Sequence, residues 1–555
     1  MRLSPWILVL MMSSAVVAQR PRDEPPGAER STAEPARGDR PRTDAPRATE
    51  PRGDLPRAEE ARPGSTRTRN AESPTATLQG VSVTPVAEKV DEKPVVTHHK
   101  ITVGGKTLEY TATVAQMPLK DAAGETEAHI FYMAYTLDGV SDTSKRPVTF
   151  AFNGGPGSAS IWVHMGAMGP KSAKLLDNGD MPPPPFQLID NEHTWLDVTD
   201  LVFIDPVGTG YSRAKNAEVT RRLNGVQGDL QSVGEFIRLY ITRNDRWLSP
   251  LFIAGESYGT FRAAGLAGTL LENGIAVNGI VLISTVIDFG LLRHSAINGI
   301  PDALQLPTIA ADAWYHKRLA PELQQDLHAT LKEVEGWAMS DYLAALNKGD
   351  DISPSERKAV VEKLARYTGL SPRYVDESEL RIDDNRFRRE LLRDKKLTIG
   401  RYDGRLTGPS PLDAGDQAEF DPSGSLVRPP FEAAFEHYIS SELGYKTDMV
   451  YNVLVNLQWD WGSPNRYAET SRWLRDAFTK NPYLKVMNCA GYYDIATPYL
   501  SVEYNLNHAG LHPEMRKNIT FQHYEAGHMM YIDRTSKAKL KRDFADFVNS
   551  ALKPK

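Results

Sequence analysis

The chain has 555 residues, 41% of them hydrophobic, and a net charge of −6. That length supports a large core with insertions to spare, and the charge offers no footing for nucleic acid. The single cysteine, Cys489, excludes an intrachain disulfide and reads as a small core residue of an apolar strand.

Residues 1–18 read as a signal peptide. Arg2 precedes an apolar stretch from Trp6 to Val17, and Val16-Val17-Ala18 ends in a small-residue cleavage site before Gln19. The stretch is too short to span a bilayer and no other qualifies, so no membrane span is expected in the mature form. Residues 19–90 form a Pro/Arg/Glu-rich arm. From Gln19 to Leu78 it holds twelve Arg against eleven Asp and Glu and no aromatic residue. Such a composition buries no core and is expected to be a disordered spacer.

The segment 91–289 reads as the first part of an α/β core. Ile101 to Ala115 and Ala128 to Leu137 alternate like two strands of an antiparallel edge. Strands leading to Phe152, Asp205 and Ala254 follow, then Gly279 to Ser284. The strand at Phe152 runs into Asn153-Gly154-Gly155-Pro156-Gly157, a turn suited to an oxyanion-hole amide, assigned to Gly155 N–H. Leu251 to Ala254 runs into Gly255-Glu256-Ser257-Tyr258-Gly259 and then a helix rich in small residues. Strand, Gly-x-Ser-x-Gly, helix is a nucleophile elbow: Ser257 stands at the tip of a sharp turn, and the flanking glycines let strand and helix approach closely. The Tyr258 N–H is the second expected oxyanion donor.

Residues 290–466 interrupt the sheet and are too long for a loop. Ser353-Pro354-Ser355-Glu356 opens a helix toward Tyr367, and Asn385 to Lys395 reads as another, strongly charged one. A mainly helical cap is expected, with Trp314, Tyr315, Trp337, Tyr342, Trp459 and Trp461 chiefly as packing residues. The core resumes over 467–555. Asp494 follows the strand from Leu484 to Ala490, and His528 follows the strand from Ile519 to Tyr524. Open α/β sheets carry functional groups at the carboxyl ends of strands. Asp494 is therefore the expected orienting acid and His528 the base; His523, inside the strand, and Glu525, too near His528, are the rivals. No histidine cluster has metal-ligand spacing, and no metal or cofactor is expected.

Five separated blocks resemble the serine carboxypeptidases: Asn153 to Ser158, Phe203 to Ser212, Gly255 to Gly259, Ala490 to Asp494, and Ala526 to Met529. The resemblance covers about residues 95 to 555, more weakly in the middle. It implies an α/β-hydrolase fold, peptide substrates with a free C-terminus, and release of the last residue through an acyl-enzyme. It also implies that Asn153, Gly154 and Glu256 bind the terminal carboxylate, that Met529 lines the leaving-residue pocket, and that the protein is periplasmic or extracellular. Three positions depart from the family pattern. Ala167 stands where a second glutamate usually pairs with the one before the nucleophile, Thr260 replaces a glycine, and Ser158 replaces a cysteine. Two facing carboxyls share a proton, so the usual acidic pH optimum is not expected to carry over. An esterase or acyltransferase using the same Ser257, His528 and Asp494 is the alternative.

Overall fold

The computed structural model describes residues 93–553, and the signal peptide and arm expected before the core lie outside them. The main strands are β1 (Val95–Val103), β2 (Lys106–Lys120), β3 (Thr126–Leu137), β4 (Val148–Phe152), β5 (Asp200–Ile204), β6 (Leu251–Glu256), β7 (Gly279–Ile283), β8 (Lys485–Gly491) and β9 (Ile519–Tyr524). They form one sheet in the order β1-β2-β3-β5-β4-β6-β7-β8-β9, with the short strand Arg213–Ala214 added beside β3. The pairs from β1 through β3 to β5 are antiparallel. Those from β5 to β9 are parallel. This is the expected α/β-hydrolase fold, an antiparallel edge leading into a parallel sheet.

Parallel strands buried on both faces are apolar throughout, and β4, β5, β6 and β7 are buried at every residue. Successive side chains enter opposite cores. Phe150 and Phe152 pack on the face covered by the helices Val226–Arg243, Tyr258–Glu272 and Ser471–Lys480. Ala151 packs on the face covered by Arg534–Leu552 and Pro422–His437.

Two expectations need correction. The single strand expected from Ile101 to Ala115 is a hairpin: β1 ends at Val103 and β2 begins at Lys106. Gly104 and Gly105 turn the chain at φ +55° and +80°, a conformation that two-residue hairpins with the sheet's twist require and glycine supplies. The charged helix expected from Asn385 to Lys395 is shorter, Asp384–Glu390 followed by a single 3-10 turn at Arg393–Lys395. The helix after Ser353 is Pro354–Thr368. It is capped by Ser353 Oγ on the Glu356 N–H and ends at Gly369 with φ +69°.

Residues 290–466 are mainly helical but divide among three cores, with Trp459 and Trp461 packed on the sheet face that holds Phe150. Helices from Ile300 to Glu390 enclose a core of their own, which reaches Ala490, Tyr493 and Tyr499 at and beyond the end of β8. Trp337 and Tyr342 are buried in it, as packing residues. The later part, from Val427 to Val453, packs into one of the two sheet-face cores.

A buried clamp joins the amino ends of β4 and β5. Asp200 accepts from Arg146 Nε at 3.0 Å, from Arg246 Nη1 at 2.5 Å and from the Leu137 N–H at 3.0 Å. Removing its carboxylate strands two buried guanidinium groups. Asp200→Ala should therefore destabilise the fold by about 3–5 kcal/mol, measured as a lower urea midpoint.

Candidate active site

In the strand order, β4 has β5 on one side and β6 on the other. The chain leaves β4 for β5 and reaches β6 next, so a crevice opens at the carboxyl end of β4. Asn153 directly follows β4, Ser257 directly follows β6, and Asp494 and His528 stand three and four residues past β8 and β9.

Ser257 has φ 59° and ψ −129°, a strained conformation for a residue with a side chain. The surroundings enforce it. Its N–H donates to Ile283 O at 2.9 Å, and its carbonyl accepts from Thr260 N–H at 2.8 Å and Thr260 Oγ1 at 2.7 Å. The threonine that departs from the family pattern is thus a brace of the elbow.

The turn after β4 lies directly on the elbow. A Cβ on Gly154 would come 2.4 Å from Tyr258 N, one on Gly259 2.9 Å from Phe152 O, and one on Gly255 2.1 Å from Gly259 O. Only glycine permits these approaches. Neither Gly155 nor Tyr258 donates its N–H within the turns and caps of the described residues. Two free amides at a nucleophile are what an oxyanion hole requires. Arg262, 1% exposed, locks the arrangement: Nε donates to Asp229 Oδ2 and Nη1 to Asn153 O, both at 2.7 Å.

Asp494 is wholly buried and fully bonded. Oδ1 accepts from the N–H groups of Ala496 and Thr497, at 2.9 and 3.0 Å. Oδ2 accepts from Thr497 Oγ1 at 2.5 Å and is 2.7 Å from His528 Nδ1. Nδ1 therefore carries the proton in the neutral imidazole, and Nε2 is left as the basic nitrogen. Burial opposes protonation of His528. The Asp494 carboxylate and its hydrogen bond outweigh burial, with help from Glu256, and hold the imidazole above its ordinary value. The histidine is also gripped by backbone: its N–H donates to Tyr402 O and its carbonyl accepts from Ser284 Oγ, both at 2.5 Å.

Glu256 is 3% exposed, and Asn153 Nδ2 donates to its Oε1 at 2.8 Å. Asn153 Oδ1 accepts the Val163 N–H at 3.0 Å, which fixes the amide orientation. Burial pushes the Glu256 carboxyl up to about 7. Ala167 is itself buried and supplies no second carboxyl. The Tyr531 ring packs against its neighbour Gly166 instead, and the Tyr531 hydroxyl interacts with Glu256. Met529 is 8% exposed and packs in a sheet-face core.

The rivals go elsewhere. His523 Nε2 lies 2.7 Å from Glu503 and its ring stacks on Tyr492. Glu525 is exposed, 3.7 Å from His328. The sequence reading passed over Arg262, Thr497, Ser284 and the segment 400–406. Arg262 had a signal, the single basic residue within a helix of small residues. Thr497 had a weaker one, a hydroxyl three residues after an aspartate, a spacing at which the two commonly bond. Alanine at 154 must push the Tyr258 amide out of place. Gly154→Ala should slow labelling of Ser257 by a serine-reactive phosphonate about 10²-fold, the scale of one lost oxyanion donor. Unchanged circular dichroism would show that the fold survives.

The family model described as serine carboxypeptidase matches residues 119–345. The match includes Asn153, Gly154, Gly155, Glu256, Ser257 and Tyr258 and stops short of Asp494, His528 and Met529. Serine carboxypeptidase-like 16 of Arabidopsis thaliana is 28% identical over 183 residues, 31% of this chain and 40% of that protein. The pheromone-processing carboxypeptidase KEX1 of Coprinopsis cinerea is 27% identical over 158 residues, 28% of this chain and 24% of that protein. The chain thus spans about two-fifths or less of the length of these relatives. Among solved structures, the prohormone-processing carboxypeptidase KEX1 of Saccharomyces cerevisiae aligns over 79% of this chain and 91% of its own, at 15% identity and a TM-score of 0.47. In its sequence motifs and over residues 119–345, this chain is similar to the serine carboxypeptidases.

Proposed function

We propose that this chain is a serine-type carboxypeptidase, removing the C-terminal residue of peptides through an acyl-enzyme on Ser257. The supporting observation is the conjunction, at neighbouring strand ends, of a strained serine elbow, a buried Asp494–His528 pair and an Asn153–Glu256 pair whose carboxyl is raised to about 7. In this reading His528 Nε2 takes the Ser257 proton as the serine attacks the last peptide carbonyl. The Gly155 and Tyr258 amides receive the oxyanion, and Asp494 stabilises the imidazolium. The imidazolium then protonates the leaving amine, and water repeats the cycle on the acyl-enzyme.

Glu256 supplies the preference for a free C-terminus. A buried carboxylate would repel the substrate's terminal carboxylate, whereas a neutral carboxyl donates a hydrogen bond to it. Burial, with the Asp494 charge in support, keeps this group neutral to about pH 7 although Ala167 supplies no partner carboxyl. The Asn153 amide keeps one further proton for the same anion. Gly154, beside them, lets the substrate approach the backbone closely. Met529 stays with the leaving-residue side of the site as part of its apolar floor. Export to the periplasm or cell exterior fits the leader-like N-terminus. Among the described residues no helix is long and apolar enough to cross a membrane.

The decisive experiment pairs peptides that differ only in a terminal carboxylate or amide, with Ser257→Ala as control and mass spectrometry as readout. Serine-dependent trimming of the free acid alone is expected. No trimming, with Ser257 still reactive toward a phosphonate, would move the assignment to an esterase or acyltransferase. The pH dependence has a fixed sign. Below about pH 7 Glu256 is neutral and KM for free-acid peptides is low; as pH rises through that value the carboxyl ionises and KM climbs. Amide-ended peptides lack that alkaline limb. kcat falls on the acid side as His528 protonates, at a pH above the ordinary imidazole value.

A further inference from the structure

The loop Gly400–Leu406 comes from the insertion, yet it is built into the site. Tyr402 O accepts the His528 N–H, the Tyr402 ring lies 5.1 Å from the imidazole, and Asp403 Oδ2 accepts the Gly527 N–H at 3.2 Å. The loop is held from behind. Gly400 N–H donates to Leu406 O at 2.8 Å, Arg401 N–H to Asp421 Oδ1 at 3.0 Å and Tyr402 N–H to Ser423 Oγ at 3.1 Å. A backbone fixed at this many points holds its side chains with little entropy left to lose on binding.

Arg401 is this loop's half-exposed cation, its guanidinium 5.7 Å from the centre of the Tyr402 ring that faces the imidazole. Its side chain keeps 42% of its exposure, and its ion pair with Asp384 is loose, 3.7 Å from Nε to Oδ2. Among the described residues the guanidinium donates no side-chain hydrogen bond. Its charge is felt at both Asp494 and His528. At His528 it works against the Asp494 carboxylate and disfavours the imidazolium that the reaction must form. A planar guanidinium with free terminal nitrogens matches a carboxylate bidentately.

We propose that Arg401 is a substrate-binding residue that takes a carboxylate of the peptide beside the scissile bond, either its terminal carboxylate or an acidic side chain flanking the bond. Binding then neutralises the charge that opposes imidazolium formation, so a substrate bearing the carboxylate is both held and turned over better than its neutral analogue. The inference rests on the peptidase reading of the site for its substrate, but not for the placement of Arg401.

The test uses the full chain and Arg401→Met, which keeps the apolar stem and removes the charge. One arm compares peptides ending in a free acid or an amide. A second compares Glu with Gln at the last and the penultimate position. Arg401→Met should raise KM about tenfold or more for the carboxylate member of one arm and leave its neutral partner unchanged. The free-acid arm would assign the terminal carboxylate, and the Glu arm an acidic side chain. Arg401→Lys, which keeps the charge without the fork, should fall in between, and it carries the same arms if the Met variant does not fold. The groups facing His528 are Asp494, Glu256, Tyr402 and Arg401. Loss of the one cation among them should move the acid limb of phosphonate labelling of Ser257 to higher pH. Equal KM changes within every pair, or no change at all, would overturn the assignment, as would an unmoved labelling limb. If the wild-type chain trims no peptide, the peptidase reading fails separately. The same comparison on nitrophenyl hemisuccinate and butyrate esters then decides Arg401 alone.

Discussion

Everything at this site depends on two backbone segments touching without side chains between them. The turn after β4 lies on the elbow after β6 so closely that a methyl group on Gly154 would sit 2.4 Å from the Tyr258 nitrogen. That contact sets the turn carrying Gly155 against the Tyr258 amide that follows Ser257. It is maintained by parallel pairing of β4 with β6 from below and by Arg262 from the side, which ties Asn153 O to Asp229. The strain at Ser257 persists because its N–H and carbonyl are both bonded to neighbours that cannot follow it elsewhere.

The second half of the site is held through the insertion. His528 lies in a loop past β9, and that loop is bonded to Tyr402 on one side and to Ser284 on the other. Arg405 reinforces the join, with Asp403 and Asp533 paired to its guanidinium. The insertion is therefore part of the structure that orients the imidazole as well as a cover beyond the strand ends. A segment with this role cannot swing away without disturbing the pair of His528 and Asp494.

Charge balance ties the halves together. Glu256 and His528 sense one another, and both sense Asp494. In the proposed reaction the productive state has a neutral Glu256 and a neutral His528. The state with the proton moved from one to the other has the same net charge and cannot act as a base. The titration of such a pair belongs to the pair rather than to either residue. Burial pushes the Glu256 carboxyl toward neutrality beside a fully hydrogen-bonded Asp494.

How much of this was legible follows from what each feature depends on. The elbow, the turn after β4, and the positions of Asp494 and His528 depend on local sequence. A glycine pattern between an apolar strand and a helix has few other uses, and strand ends in a parallel sheet converge wherever the strands are set. The Gly104-Gly105 hairpin was equally local, and its glycine pair was a signal passed over. The sequence alone thus determined the fold class, the order of the strands' contributions and the identity of the polar groups at the strand ends. Tertiary structure alone decided that Arg262 braces the turn after β4, that Tyr402 and Ser284 hold the histidine, that Tyr531 faces Glu256, and that Arg401 lies half-exposed over the Tyr402 ring. Each of those contacts joins residues far apart in the chain, and no periodicity or spacing encodes a distance that only the packed core sets.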